Sequence, residues 1–207
     1  MMEKILQSYI DLRKKSQNYG NSLATAKPNI ENVFGMIFNN ATLVLEILDN
    51  YYGYWKKKYT ATPQQIDESK KQNSERIMEI TKWSFTHAIS SLEYSAKEII
   101  KKTSRAEFQD LRNKLHSRNR VYLLKIMKES KDSGLITKGD YEHWDGIIFL
   151  RNCLVHNNGI SDKDETLTIR TINIKCENGK MIQGKLDTFY NLTDVSVDLY
   201  NDWLHKI

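Results

Sequence analysis

Two prolines, Pro28 and Pro63, and nine glycines are spread over 207 residues. So few breakers exclude a many-turned β fold and favour long helices, because Pro and Gly are the residues that end regular structure. Apolar residues recur at spacings of three and four over most of the chain, the period of a helix with one buried face. Residues 3–26 carry Ile5, Leu6, Tyr9, Ile10 and Leu12 at that spacing. Pro28 closes this segment, and Asn29 is placed to cap the next. From 30 to 59 a broad apolar face is expected through Val33, Phe34, Ile37, Phe38, Ala41, Leu43, Val44, Leu45, Ile47 and Leu48, with Gly35 and Gly53 weakening it locally. It ends in Tyr51, Tyr52, Tyr54, Trp55 and Tyr59 around Lys56, Lys57 and Lys58, a cluster that reads either as a core end or as a base-stacking surface.

Residues 60–68 read as a linker and 69–103 as a long helix. Met78, Thr81, Phe85, Ala88, Leu92, Ser95 and Ile99 form a bundle seam, which Ile80, Trp83, His87 and Tyr94 widen. Residues 105–131 read as a basic amphipathic helix stopped by Gly134, with Leu111, Leu115, Tyr122, Leu123 and Ile126 inside. From Lys101 to Lys131 ten Lys or Arg face three Asp or Glu. Arg112, Lys114, Arg118 and Arg120 are its candidate phosphate contacts, the alternative being a solvated helix face. Residues 140–156 form a further helix, with Asp140 as the expected cap and Trp144, Ile147, Ile148, Leu150, Leu154 and Val155 expected to bury it on most sides.

Beyond Gly159 the texture becomes β-branched and alternating. Thr166 to Cys176 predicts a strand with a bulge near Thr171. Glu177-Asn178-Gly179-Lys180 predicts the hairpin turn, and 181–186 the return strand. A last helix is expected over 194–206, capped by Thr193 and stapled by Leu192 to Val197. The fold class is therefore mainly α: an up-and-down helical bundle with a small β-hairpin and a C-terminal helix after the 140–156 helix. It is organised as one domain over 1–207, with 1–29 as an N-terminal helical extension, 30–160 as the bundle core and 161–207 as hairpin plus docking helix.

No apolar run is long enough to span a membrane, and the N-terminus lacks a signal-peptide layout. Cys153 and Cys176 lack metal-ligand or redox spacing, so a reducing cytoplasm is the expected location. The net charge of +5 hints at an anionic partner. No phosphate-binding glycine loop, His-Glu-x-x-His pair or nucleophile elbow is present, so no cofactor and no metal is expected.

The densest chemistry lies at 147–159: Ile-Ile-Phe-Leu-Arg-Asn-Cys-Leu-Val-His-Asn-Asn-Gly. Asn157, Asn158 and Gly159 stop the helix, because Asn and Gly tolerate the left-handed conformation of a helix end. His156 then sits on the last turn, where an imidazole can exchange protons near neutral pH. Arg151 carries a permanent planar charge suited to phosphate. At about 100° per residue Arg151 and His156 lie roughly 140° apart, whereas Asn152 and His156 share a face. A two-fold dimer packing this helix on its copy would bring two Arg and two His into one cleft. Glu93 is a candidate to orient Arg151, or is a solvated glutamate on the rim. Arg151 in an internal salt bridge, with His156 as a helix cap favoured by the dipole, is the structural alternative.

The stretch Arg151-Asn152-Cys153-Leu154-Val155-His156 with its Asn-Asn-Gly stop resembles the signature of the HEPN superfamily: Arg, usually a polar residue, about three more residues, then His. The resemblance is specific over 141–160 and looser over 30–160. It implies a helical bundle that dimerises through the motif helix. It also implies a metal-independent endoribonuclease, often in toxin–antitoxin, abortive-infection or other antiviral-defence systems. The expected catalytic residues are Arg151, Asn152 and His156, with Asn157, Arg112, Lys114, Arg118 and Arg120 on the substrate and Glu93 behind Arg151. The expected partners are RNA, a second copy of the chain, and a cognate antitoxin or defence partner. The expected products are a 2′,3′-cyclic phosphate and a 5′-hydroxyl, a chemistry closed to DNA. The alternative is a non-catalytic HEPN module that binds RNA, a nucleotide or a partner protein.

Overall fold

The computed structural model describes the backbone of residues 2–26, 33–57, 63–117 and 119–207, and the side chains of 3–25, 33–50, 71–117 and 119–207. Among these it is mainly helical, with a small antiparallel sheet. The order is α1 (Met2–Ala26), α2 (Val33–Lys57), α3 (Pro63–Lys102), a 3₁₀ turn (Ala106–Phe108), α4 (Gln109–His116), α5 (Leu123–Asp132), α6 (Lys138–His156), β1 (Glu165–Ile169), β2 (Ile172–Cys176) and α7 (Thr188–Lys206).

The seam of α3 is buried as its spacing predicts. Thr81, Phe85, Ala88, Leu92, Ser95 and Ile99 face the core, which also holds Trp144 and Leu150 of α6 and Phe189 and Trp203 of α7. Of the residues expected to widen that face, Ile80 packs against the core and the other three do not. Trp83 is 43% exposed and Tyr94 50%, and His87 is exposed beside them. Positions 83, 87, 90 and 94 form a second seam, pointing outward. The helix also begins earlier than expected, at Pro63 rather than near 69, because proline suits a first helical position whose N–H has no partner. The aromatic–lysine cluster at 51–59 and the expected linker residues lie outside the described side chains.

Residues 1–29 contribute more than an appendage. Ile5, Tyr9, Leu12 and Leu23 of α1 belong to the same core. Tyr9 packs edge-on against Tyr190, and Lys15 bridges Asp194 at 2.6 Å and Asp198 at 3.1 Å, which ties α1 to α7.

The basic segment is two helices, not one. Asn119 N–H turns back to the Lys114 carbonyl and its Nδ2 donates to Ser117 Oγ. Ser and Asn side chains compete with the helical ladder in this way. Tyr122 stands outside at 57% exposure, and Val121 takes the buried place. Gly134 does end α5: at φ 73° it lets Leu135 N–H reach Ser130 C=O at 2.8 Å. For α6 the N-cap is Thr137, whose hydroxyl accepts from Asp140 N–H while Asp140 accepts from the Thr137 N–H. Asp140 is thus the third residue of a capping box and not the cap.

The hairpin turns eight residues earlier than its turn signal. Ile169 pairs with Ile172, so Arg170 and Thr171 are the turn. The change of phase at Thr171 marks that turn and not a bulge. Arg170 takes φ 51°, unusual for a non-glycine residue, and its guanidinium faces Asp198 at 3.9 Å and Asp202 at 3.6 Å on α7. The Glu177–Lys180 turn exists, but Met181 only bridges Ile160. α7 starts at Thr188, so Thr193 is a buried mid-helix residue whose hydroxyl donates to Phe189 C=O.

Candidate functional site

Helix α6 is held on three sides. Ile147 and Leu150 are fully buried in the bundle. Gly146 lets β1 come close, since a Cβ there would lie 3.2 Å from Ile169 Cδ1. On a third side α6 meets α3. There Arg151 faces Ser90, and Val155 and Asn158 share an open groove with Trp83 and Glu79. Rising numbers on α6 meet falling numbers on α3, so the two helices are antiparallel.

The Arg151 guanidinium is half-buried at this junction. Nη1 donates to Asn152 Oδ1 at 3.0 Å and Nη2 to Ser90 Oγ at 3.3 Å, while Nε is buried without a hydrogen-bond partner. Both acceptors are neutral. Among the described residues no carboxylate pairs with this cation, so it keeps its full charge for an anion. The internal salt bridge is not formed with any described residue.

Glu93 does not orient Arg151, which corrects that expectation. Its carboxylate takes Lys97 Nζ at 2.5 Å, one turn along its own helix. An (i, i+4) Glu–Lys pair forms locally without having to reach across to another helix. Ser90, which the sequence reading passed over, holds the arginine instead.

Asn152 and His156 are both exposed on α6, four residues apart, and His156 is its last residue. The stop is built as expected. Asn157 donates its N–H to Cys153 C=O, Asn158 and Gly159 take φ 52° and 80°, and Gly159 N–H also returns to Cys153 C=O at 2.9 Å. Asn157 is exposed beside His156. Cys153 itself is buried, and burial pushes its thiol pKa up.

The basic segment lies elsewhere. Arg112 Nη1 donates to Thr103 C=O at 2.7 Å and Arg105 C=O at 2.8 Å, closing the C-terminal end of α3. It braces the turn that follows α3. From Ser90 to Thr103 the rise of α3 alone is about 20 Å, so α4 stands far from Arg151. Lys114 and Arg120 are exposed, and Arg118 lies outside the described residues. The sequence places these cations near one another but carries no signal of their distance from His156.

Among the described residues no group of three His, Cys, Asp or Glu could hold a metal ion. None of their helices is long and apolar enough to cross a membrane. No family model, curated protein or solved structure matches the chain.

Proposed function

We propose that the chain is a HEPN-type, metal-independent endoribonuclease that acts as a homodimer through α6, as a cytoplasmic toxin or antiviral-defence effector under the control of an antitoxin or defence partner. The observation that carries this reading is the uncompensated Arg151 guanidinium, held by Ser90 and Asn152 with His156 one turn beyond Asn152. A fixed, always-charged fork on the same helix as an exposed imidazole suits the transfer of a phosphoryl group between two oxygens of RNA.

In the proposed reaction the 2′-oxygen forms a bond to phosphorus and the bond from phosphorus to the 5′-oxygen breaks. One imidazole takes the 2′-hydroxyl proton, and a second gives a proton to the leaving 5′-oxygen. Arg151 stabilises the extra negative charge on the phosphorane. Each chain supplies one His156, so two copies supply both proton carriers. Tyr94, 50% exposed on the outward face of α3, offers apolar surface to a second copy.

The test is incubation of the protein with mixed RNA in excess EDTA, beside Arg151→Ala and His156→Ala. The reading predicts cleavage by the parent alone, leaving 2′,3′-cyclic phosphate ends. A folded, dimeric parent that leaves RNA intact overturns it.

A further inference from the structure

Trp83 lies in the open groove between α3 and the end of α6, a space of about 390 Å³ lined also by Thr86, Val155, Asn158 and Met181. The indole is 43% exposed, and the His87 ring lies nearly parallel to it, with centroids 5.4 Å apart and planes at 26°. Leaving a tryptophan this far in water forgoes much of the stabilisation its burial would bring. Along α3, His87 follows Trp83 by one turn and Ser90 follows His87 by one more. Ser90 is the residue that holds Arg151. The rise from Trp83 to Ser90 is about 10 Å. That matches the reach from a phosphate on Arg151 to the base of a neighbouring nucleotide.

We infer that Trp83, backed by His87, is a stacking platform for an RNA base next to the phosphate bound by Arg151, in the groove that Val155 and Met181 complete. This rests on the proposed nuclease reading for its phosphate, but the stacking can be measured without cleavage. Three features favour a nucleobase. The platform is a flat aromatic pair, every base offers a π-face to it, and the unpaired guanidinium beside it attracts the linked phosphate. The groove rim adds the polar groups of Thr86 and Asn158, which can read base edges.

The experiment uses the full chain and a fluorescein-labelled 2′-O-methyl RNA oligonucleotide of mixed sequence, which lacks the attacking hydroxyl. Affinity is read by anisotropy for the parent, Trp83→Ala, Trp83→Phe and, as a surface control away from the groove, Glu142→Gln. Sedimentation reports the oligomeric state of each. The expected result is about tenfold weaker binding for Trp83→Ala, a smaller loss for Trp83→Phe, parent-like binding for Glu142→Gln, and the same oligomeric state throughout. Tryptophan fluorescence of the parent, titrated with unlabelled oligonucleotide, is quenched by a component that Trp83→Phe lacks. Trp144 and Trp203 are fully buried and do not supply it, and Trp55 is common to the parent and Trp83→Phe, so the difference between the two isolates Trp83.

Parent-like affinity of Trp83→Ala, or no binding by the parent, overturns the inference. So does a shift of Trp83→Ala from dimer to monomer, which assigns the indole to an interface between copies. If the parent binds through Trp83 but never cuts unmodified RNA, the platform stands and the nuclease reading falls.

Discussion

Ser90 of α3 and Arg151 of α6, 61 positions apart in the chain, are joined by a hydrogen bond of 3.3 Å from Nη2 to Oγ. A guanidinium tied at two corners has little rotamer freedom left to lose when an anion arrives. In the proposed nuclease, Arg151→Ala lowers kcat about 10²–10³-fold, the size of effect seen when a single stabilising donor is removed. Ser90→Ala leaves the charge but loosens its aim, and lowers kcat by several-fold. Single-turnover cleavage of a labelled RNA, with melting curves as controls for folding, checks both. Equal rates for Arg151→Ala and parent contradict the assignment.

Arg112 and Arg120 lie close in sequence but do different things. Arg112→Ala strips a donor from two carbonyls at the end of α3 and costs about 1–3 kcal/mol of stability. Arg120→Ala and Lys114→Ala touch exposed side chains and leave stability within about 0.5 kcal/mol. Urea unfolding followed by circular dichroism separates the two classes.

Gly146 sets how closely the hairpin approaches α6. A leucine there drives its side chain into Ile169 and Leu167, whose atoms already lie 3.2 Å and 3.6 Å from an added Cβ. Removing a mid-helix glycine gains about 1 kcal/mol of helix propensity. Overpacking, with a cost of about 1–3 kcal/mol, outweighs it. The expected outcome is a lower urea midpoint for Gly146→Leu, together with faster amide exchange in β1.

The packing of α1 and α7 carries an alkaline sensitivity. Burial pushes the Tyr9 hydroxyl up to about 12, and burial with a hydrogen bond to Asp198 pushes Tyr19 up to about 12. Burial also raises Tyr190 and Tyr200. Each raised value means that the fold favours the protonated phenol. The stabilisation is thus complete below the unfolded value near 10 and is lost as pH rises through the folded values. Thermal midpoints measured from pH 8 to 11.5 should hold steady to about 10 and then fall. Tyr9→Phe, which cannot ionise, should flatten part of that fall.

Much of this architecture was legible in the residues. The 3–4 spacing of Thr81, Phe85, Ala88 and Leu92 marks the buried side of α3, because a helix with one apolar stripe can hide it only against other helices. The Asn-Asn-Gly stop after His156 marks the end of α6, because Asn158 and Gly159 tolerate the left-handed backbone they take up. Trp83 and Tyr94 misled, since aromatic residues beside a seam read as core in any pattern based on apolarity. The Arg170–Thr171 turn carried no glycine or asparagine to announce it. Its left-handed arginine stands opposite Asp198 and Asp202, residues about 30 positions away in the chain.

The sequence by itself determined the helical class, the buried stripe of α3, the stop after His156 and the nearness of Arg151, Asn152 and His156. These rest on spacing and backbone preference within a few residues. Only the tertiary structure decided that Ser90 and not Glu93 meets Arg151, that Arg112 braces the turn after α3, and that Trp83 faces an open groove. Each of these depends on which helix faces which, and that follows from how all the apolar faces pack at once, not from any single stretch.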